Sequence, residues 1–287
     1  MTEVLALRPA AAEPLPFAAD TETLFADHKG EYRKSIEKRQ RKLAAKLTFL
    51  GRFLRPGERV RLITTACSPF TVMEQLTTGY AIVYLKRAML VVTNERILHV
   101  LTDGSLKYRD SIAEIRYEDC ASMKQSFSAL KIRYKNGKDE RFLYIPWAER
   151  RRLKDFLKTK TFEATGGGSA ARTHLCPRCI KPLQHDVYEC SACRLPFKSL
   201  DEGRRIALIY PGGGYFYTGH WFLGVGDALA ELFLITLLIV SILGINEGVE
   251  GAMEVSILFA VLLVIEKAIS LYHTNHFIRE YIPKERV

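Results

Sequence analysis

The sequence lacks several features that define secreted and catalytic proteins. Its N-terminal segment 1–20 holds three prolines with Glu3 and Glu13 but no long apolar core, so it does not resemble a secretory signal. Six cysteines among 287 residues are too few for a disulfide scaffold. No nucleophile with its base, no paired carboxylates and no phosphate-binding loop stand out. We therefore expect a non-catalytic protein whose N-terminus stays in the cytoplasm.

Positive charge is concentrated in the first part of the chain. Residues 1–160 hold 31 Lys and Arg against 19 Asp and Glu, whereas residues 161–287 hold 11 against 13. The formal net charge of +10 therefore belongs to the N-terminal part. Such charge favours nucleic acid or an anionic membrane surface as a neighbour. Because apolar spans follow, membrane lipid is the simpler expectation, together with an unknown protein partner, and nucleic acid is the alternative.

The N-terminal region 1–55 divides into a tail and a basic segment. Residues 1–20 are rich in Ala and Pro without periodicity, which is typical of a disordered tail. Residues 21–55 place apolar side chains at helical spacing among Lys and Arg, until Pro56 and Gly57 end the pattern. Two roles fit this predicted amphipathic helix. It could lie on anionic lipid, or it could pack its Leu stripe on the following domain.

Residues 56–160 predict a small antiparallel sheet domain, because short strands are followed by one helix after Pro146. Around the turn Asn136-Gly137, apolar residues alternate with Lys and Arg, which indicates one buried face and one basic, wet face. The predicted strands before this hairpin are 60–66, 79–84, 87–93, 96–102 and 112–117.

A recognisable pattern runs through Met89-Leu90-Val91-Val92-Thr93-Asn94-Glu95-Arg96-Ile97-Leu98, two apolar strands joined by a Thr-x-x-Arg turn, after Leu54-Arg55-Pro56-Gly57-Glu58. In this pattern the region resembles bacterial pleckstrin-homology-like domains of the GRAM type. The resemblance implies a bent antiparallel sheet closed by a C-terminal helix. It also implies a platform for lipid or protein, although no phosphoinositide-site residue can be transferred.

Two Cys-x-x-Cys pairs separated by ten residues follow a predicted flexible linker at 161–173, within a predicted module at 174–200. Four thiolates at this spacing suit one structural zinc ion in a closed tetrahedral site. An Fe–S centre and a redox dithiol are the alternatives. The predicted metal ligands are Cys176, Cys179, Cys190 and Cys193.

The module resembles the short zinc ribbons attached to bacterial membrane proteins, although Ile180 and Arg194 stand where glycine commonly follows each Cys pair. We expect His174 and His185, which are surplus to the four ligands, to be solvent-exposed. The two remaining thiols should be buried and unreactive; they are Cys67 and Cys120. Metal binding would supply the folding energy of so small a module, and its thiolates require a reducing compartment.

Long apolar runs mark residues 204–287 as a membrane domain. A bilayer takes roughly 20 helical residues to cross, and 228–245 and 253–272 fit two antiparallel spans. Lys and Arg flank both outer ends, whereas the connecting turn carries acidic residues and no Lys or Arg. The positive-inside rule therefore predicts a bacterial inner-membrane protein with its N-terminal domains and C-terminus in the cytoplasm. A third or re-entrant span at 206–225 is an alternative.

A glycine-rich element precedes the first span, and its aromatic residues suit the headgroup interface. No P-loop lysine follows, which disfavours nucleotide binding. With the two spans, the element resembles a bacterial two-span membrane family whose activity is mostly uncharacterised. The residues that carry this resemblance are Pro211, Gly212, Gly213, Gly214, Phe216, Tyr217 and Gly219.

Two charged residues lie within the predicted membrane hairpin at matched depth. Glu231 precedes Val249, in the middle of the turn, by the same distance in sequence as Lys267 follows it. Both should therefore lie about 27 Å from the turn at about 1.5 Å per residue. We predict that they approach each other near the cytoplasmic interface, with independent snorkelling as the alternative.

These patterns predict a multidomain protein with three folded parts. They are an α+β pleckstrin-homology-like bent antiparallel sheet with a closing helix, a small zinc ribbon and an α-helical transmembrane hairpin. The predicted function is a non-catalytic adaptor or regulatory protein at the cytoplasmic membrane face. A membrane-tethered nucleic-acid-binding protein and a small oligomeric transport subunit are the alternatives.

Overall fold

Two antiparallel sheets form the centre of the fold in residues 14–162 and 171–287, the part of the chain that the computed structural model describes. The strands are β1 (Val60–Cys67), β2 (Arg87–Thr93), β3 (Arg96–Thr102), β4 (Tyr108–Arg116), β5 (Cys120–Ser126), β6 (Ala129–Tyr134), β7 (Asp139–Phe142) and β8 (Thr173–Leu175). The first sheet has the order β1-β2-β3-β4-β8 and the second has the order β5-β6-β7. The predicted mixture of helices with antiparallel sheets is therefore confirmed.

Helices precede, interrupt and follow the sheets. They are α1 (Thr21–Leu24), α2 (Lys34–Ala44), α3 (Val72–Thr78), α4 (Ile82–Leu85), α5 (Trp147–Lys158), α6 (Leu200–Ile209), α7 (Gly213–Thr218), α8 (Trp221–Asn246) and α9 (Ala252–Ile278). Each face of the first sheet is covered by its own core, which explains why every residue of β3, and every residue of β2 after Arg87, is buried. On one face, Val91 and Val100 pack with Leu47 and Leu50, and on the other Leu90 packs with the second sheet and α5.

Residues 21–55 do not form the single basic helix that their periodicity predicts. They form α1, α2 and a 3-10 helix at Thr48–Phe53. Asp27 interrupts the helical run, because its carboxylate accepts hydrogen bonds from the backbone of Lys29 and Glu31 and closes a turn. The separate pieces still bury one apolar stripe against the first sheet, as the packing alternative requires.

The segment predicted as a disordered tail is partly ordered. Phe17 is buried, Ala19 pairs with Val60 of β1, and Asp20 caps α1 by accepting a hydrogen bond from the backbone of Thr23. Residues 1–13, the rest of this predicted tail, lie outside the described residues.

The predicted strand at 79–84 is wrong, because a helical insertion separates β1 from β2. Thr71 and Glu74 form a reciprocal capping box that starts α3. Gly79 ends α3 with φ +56°, and a 3-10 turn leads into α4. The prediction failed because a short apolar run does not by itself distinguish a strand from a helix.

The cysteine module does not stand apart from the first sheet. Strand β8 spans the end of the predicted linker 161–173 and the start of the module, and it pairs with β4 so that Leu175 lies opposite Ile112. Residues 163–170, which include the Gly-Gly-Gly-Ser run of this linker, lie outside the described residues.

Helices α8 and α9 form a hairpin of 26 and 27 residues, long enough and apolar enough to cross a bilayer. In the most apolar stretch of each helix, only 6% of α8 and 11% of α9 is buried within the protein. The core helices of a soluble protein are mostly buried. Both helices extend beyond the predicted spans 228–245 and 253–272. Residues 206–225 are not a third span, because they are divided among α6, α7 and the start of α8. The hairpin is consistent with a membrane protein.

Candidate metal centre and the helix-pair cluster

Four cysteine side chains converge in the module after β8. The sulfurs of Cys176, Cys179, Cys190 and Cys193 all lie within 4.8 Å of one another, and two pairs are 3.5 Å apart. A disulfide would hold two sulfurs about 2.05 Å apart. Tetrahedral zinc with bonds of about 2.3 Å separates its sulfurs by about 3.8 Å. The four cysteines are therefore spaced to hold a metal ion.

Each Cys pair lies on the same kind of backbone turn. The carbonyls of Cys176 and Cys190 accept hydrogen bonds from Ile180 and Arg194, and each of these cysteines donates its own N–H to the carbonyl five residues later. Ile180 and Arg194 have φ of +66° and +58°, the region in which glycine is usual. The departure from glycine therefore leaves the turn unchanged, at a cost of roughly 1–2 kcal/mol per residue.

Backbone N–H groups also point at the sulfurs. The N–H groups two and three residues after Cys176 and Cys190 donate to the Sγ atoms of these residues. Such donors favour the thiolate, which is the form that binds a metal, and they lower the pKa of Cys190, whereas burial outweighs them at Cys176 and raises its pKa. Four thiolates complete a tetrahedral shell and leave no position for a substrate or a reactive water.

A residue from the C-terminal tail completes the core of the cysteine module. Tyr281, three residues after α9, is 6% exposed and packs among Cys176, Cys190 and Phe197. Its hydroxyl accepts a hydrogen bond from the N–H of Asp186 at 2.7 Å and donates to the carbonyl of Gln184 at 3.0 Å. The module and the tail of α9 therefore share one core, and no local sequence pattern predicted this contact.

Glu280 joins the same tail to the first sheet. Its buried carboxylate accepts a hydrogen bond from Arg172 at 2.9 Å, and its carbonyl accepts one from the hydroxyl of Ser111 in β4. Burial by itself would raise the pKa of Glu280, but the guanidinium of Arg172 outweighs it, and this pKa is held at about 2. The carboxylate is therefore ionised at neutral pH and paired inside the protein.

Two histidines and two cysteines near the sheets and the cysteine module are not predicted metal ligands, and the structure shows which of them are buried. His185 is exposed as predicted, with 82% of its side chain accessible. The prediction is wrong for His174, which is buried because β8 is part of the sheet and its ring lies 4.8 Å from that of Tyr281. Burial lowers the pKa of His174 to about 3. Cys67 and Cys120 are buried free thiols, as predicted.

The helix hairpin brings Glu231 and Lys267 together. The Lys267 ammonium lies 2.5 Å from the carboxylate of Glu231, which is fully buried. Lys267 also donates to the carbonyl of Ala207 at 2.8 Å, and the other oxygen of Glu231 accepts a hydrogen bond from Gly212 at 3.3 Å. The pair is thus held by the segment that precedes α8 as well as by the hairpin.

Sequence reasoning missed two of the three carboxylates in this cluster, Asp227 and Glu266. The carboxylates of Asp227, Glu231 and Glu266 lie within 4.8 Å of one another, and Ser270 donates to Asp227 at 3.2 Å. Asp227 precedes Glu231 by four residues, and this spacing on one helix face was the signal that could have found it.

The glycine-rich element packs too closely for side chains at three of its positions, and a Cβ on Gly213 would overlap the carbonyl of Ile206. A Cβ on Gly212 would overlap the carbonyl of Gly224, and the φ of +66° at Gly212 also favours glycine. A Cβ on Gly214 would overlap the hydroxyl of Thr274 in α9. This close approach carries the N–H of Gly212 to Glu231, so the element positions the buried pair.

The aromatic members of the element fix its ends. Phe216 lies edge-on to Trp221, with ring centroids 5.0 Å apart. The hydroxyl of Tyr217 accepts a hydrogen bond from Ser199 and donates to Glu202, both at 2.9 Å. The other predicted members lie in the same segment; they are Pro211, Gly213 and Gly219.

One buried pair has the residue types of a nucleophile and its base. The hydroxyl of Ser68 lies 2.7 Å from Nε2 of His99. Both residues are fully buried, and burial lowers the pKa of His99 well below its usual value. Neither atom is open to a substrate in this conformation, so the pair serves packing and hydrogen bonding.

Comparisons with protein-family models, curated proteins and solved structures give no match for this chain. The fold and the candidate sites therefore rest on the chain's own geometry.

Proposed function

We propose that this protein is a non-catalytic adaptor or regulatory protein of the bacterial inner membrane, with structural zinc bound by its four clustered cysteines. In this proposal α8 and α9 cross the membrane. A sheet domain of pleckstrin-homology-like type and a zinc ribbon stand at its cytoplasmic face. The observation that carries the proposal is the position of Tyr281. This residue follows α9 and packs in the core of the cysteine module, so it connects the membrane hairpin directly to that module.

The sheets and the cysteine module are attached to the hairpin by several contacts. This favours a domain that is held at the membrane to bind a partner over one that is loosely tethered. The tail contacts the cysteine module through Tyr281 and the first sheet through Glu280. A third contact comes from Arg109 of β4, which donates to the carbonyl of Thr218 at the end of α7 at 2.9 Å. These contacts hold the sheets at one orientation to the hairpin. One surface would then always face the membrane, and the opposite surface would face soluble partners.

Charge at the helix ends supports the cytoplasmic orientation. Arg204 and Arg205 precede the hairpin, and Arg279 and Lys284 follow it, whereas the turn at 247–254 is acidic. Positive residues favour the cytoplasmic side. The cysteine module lies at the positive end, where a reducing compartment would keep its thiolates available for zinc.

Anionic lipid is the proposed neighbour of the basic N-terminal part, and a soluble protein is the proposed partner. Each Lys or Arg near an anionic surface contributes about 1 kcal/mol to membrane attraction. Nucleic acid would be attracted by the same charge, so salt dependence must separate the two. An affinity for DNA or RNA that falls about 1,000-fold or more between roughly 50 and 200 mM salt would favour a nucleic-acid-binding protein.

Trypsin digestion of membrane vesicles tests the proposed location. The turn between α8 and α9 contains no Lys or Arg, whereas the sheet domain contains many. We therefore expect trypsin to degrade the protein in inside-out vesicles and to leave it intact in right-side-out vesicles. The reverse result would refute the orientation.

The adaptor role is tested by comparing the membrane-bound proteins of cells that contain or lack this chain. We expect at least one soluble protein to leave the membrane fraction when the chain is removed. The variant Tyr281→Ala should lower the amount of the same protein in the membrane fraction, because the sheets stay attached to the hairpin but are no longer held at one orientation to it. Identical membrane fractions with and without the chain would refute the adaptor role.

A further inference from the structure

We infer that the insertion between β1 and β2, residues 71–85, lies in the boundary between the lipid headgroups and the acyl chains, beside the hairpin. The inference rests on the proposed function, because it takes α8 and α9 to lie in a bilayer. It adds a second membrane contact that fixes the sheet domain against the lipid.

The insertion has its apolar side chains outside and its charge inside. Its exposed large apolar residues are Val72, Met73, Leu76, Tyr80 and Tyr84, with exposures between 55% and 88%. Glu74, the one charged residue in 71–85, is 1% exposed. A helix that faces water has the reverse arrangement. A contiguous apolar patch of this kind marks a contact with a protein or a membrane.

The buried charge is neutralised within the fold. Glu74 forms an ion pair with Lys86 at 3.1 Å, and both side chains are buried. Lys86 also lies 5.3 Å from the ring of Phe277 in α9. The insertion can therefore present an uncharged outer surface, as interfacial membrane elements do with their lipid-facing side.

Hydrogen bonds attach the insertion to the part of α9 that follows its apolar stretch. The hydroxyl of Thr71 lies 2.6 Å from that of Tyr272, and the hydroxyl of Thr77 lies 2.6 Å from Nε2 of His273. These bonds hold the insertion beside the hairpin. They place its exposed residues next to helices whose own apolar side chains are exposed.

A cavity of about 510 Å³ separates the insertion from the hairpin. Thr77 of the insertion and Phe222, Leu262 and Ile265 of the hairpin line this cavity. Ile265 lies seven residues before Tyr272, which is about 10 Å along the helix. The insertion therefore reaches alongside the lipid-facing part of α9, so its outer surface is continuous with that of the hairpin.

The second sheet shares this end of the molecule. The backbones of Cys67, at the base of the insertion, and Leu143 exchange hydrogen bonds, and Ile145 donates to the carbonyl of Ser128. The turn at 127–128 and the start of α5 therefore lie near the base of the insertion.

Two exposed aromatic residues at this end are accompanied by arginines. Phe127 is 87% exposed and lies 5.3 Å from the guanidinium of Arg150. Trp147 is 71% exposed and lies 5.7 Å from that of Arg151. Aromatic and basic side chains together suit a headgroup region that contains anionic lipid. This charge favours a bilayer surface as the occupant of the apolar face.

Quenching of tryptophan fluorescence by brominated phosphatidylcholine tests the inference in the full chain. The protein is placed in vesicles of phosphatidylcholine and phosphatidylglycerol, with bromine on the acyl chains near the headgroup. The native tryptophans are Trp147 and Trp221. The Trp147→Phe variant therefore reports on Trp221 at the start of α8. Adding Trp221→Phe and Tyr80→Trp moves the reporter to the insertion.

A matched reporter in the same background is Lys138→Trp, in the exposed turn between β6 and β7. Lys138 lies five residues before Leu143, which is about 17 Å away along the strand. We expect bromine to remove as large a fraction of the fluorescence in the Tyr80→Trp variant as it removes from Trp221. It should remove none in the Lys138→Trp variant. Leu76→Trp provides a second position if Tyr80→Trp does not fold.

Other quenching results would distinguish failure of this inference from failure of the proposed membrane anchoring. Quenching of Trp221 without quenching in the Tyr80→Trp and Leu76→Trp variants would overturn the inference and leave the membrane anchor standing. Equal quenching in the Lys138→Trp variant would also overturn it, because the whole sheet domain would then touch lipid. If Trp221 itself is not quenched, the proposed membrane anchoring fails.

Discussion

Substitution of Tyr281 should loosen the metal site without altering a metal ligand. The ring is 6% exposed, and its removal in Tyr281→Ala leaves a cavity in the module core that costs about 3–5 kcal/mol. Tyr281→Phe keeps the ring but removes the hydrogen bonds with Asp186 and Gln184. Two such bonds contribute about 1–3 kcal/mol together.

The assay is the rate at which the full-length protein, in detergent, releases zinc to an excess of a chromogenic chelator. If zinc leaves from the state in which the tail is undocked, the rate rises tenfold for each loss of about 1.4 kcal/mol in docking free energy. The expected acceleration is roughly 5- to 150-fold for Tyr281→Phe, and about 150-fold or more for Tyr281→Ala.

The matched control is Tyr188→Phe, in the same module. Among the described residues, the only side-chain neighbour of the Tyr188 hydroxyl that shifts its pKa through a hydrogen bond is Asp186, which is 57% exposed, so water can replace the hydroxyl there and its removal leaves no buried group unsatisfied. This variant should release zinc at the native rate. Release at the native rate from Tyr281→Ala would refute the reasoning, because the tail would then contribute nothing to the stability of the metal module.

Three further predictions concern the helix pair, the buried carboxylate and the thiols. Lys267→Met should lower stability by about 3–5 kcal/mol, seen as a lower unfolding midpoint in detergent, because it leaves Glu231 buried without its partner. The folded pKa of Glu280 is about 2, below its ordinary value of 4.5. It therefore contributes about 3 kcal/mol above roughly pH 5, which is lost as the pH falls toward 2. Glu280→Gln should be less stable at pH 7 and lose less stability between pH 5 and 3 in urea unfolding. Cys176→Ser should lower bound zinc below one ion per chain by metal analysis, whereas Cys67→Ser should leave it unchanged.

Different results would contradict each of these three predictions. An unchanged midpoint for Lys267→Met would refute the first prediction, because the ion pair with Glu231 would then contribute nothing to stability. Parallel pH curves for Glu280→Gln and the native protein would mean that this carboxylate is not the source of the acid sensitivity. Full zinc occupancy in Cys176→Ser would remove Cys176 from the ligand set.

The features that the sequence predicted well are those set by local spacing. Each Cys-x-x-Cys turn is formed by only six consecutive residues. The spacing alone therefore predicts that Cys176 lies beside Cys179 and that Cys190 lies beside Cys193. Glu231 and Lys267 could be matched because helical rise converts residue number directly into depth. The apolar composition around the turn Asn94-Glu95 likewise predicted two strands at 87–93 and 96–102, which are β2 and β3.

The features that it missed depend on contacts between distant residues. Tyr281 and Glu280 follow α9 in a short polar segment, and nothing in their neighbourhood indicates that one enters the cysteine module and the other pairs with Arg172. His174 is buried because β8 joins β4, a pairing of segments that lie far apart in the sequence. The apolar periodicity of 21–55 predicted one long helix. This prediction was wrong because several short helices can bury the same apolar stripe.

The docking of Tyr281 gives the proposed zinc ion a role beyond holding a small module together. Structural zinc contributes about 10–16 kcal/mol of apparent binding energy to modules of this type, well above the roughly 3–5 kcal/mol expected for the Tyr281 ring. The metal can therefore maintain the surface on which the tail docks, while the tail in turn fixes α9 to the sheets. Glu280 would still hold Arg172 in the absence of metal, because that pair lies on the side of the first sheet. Removal of zinc should thus release Tyr281 and the bridge between Phe197 and Pro283 first, and leave the sheets folded but less firmly oriented on the membrane hairpin.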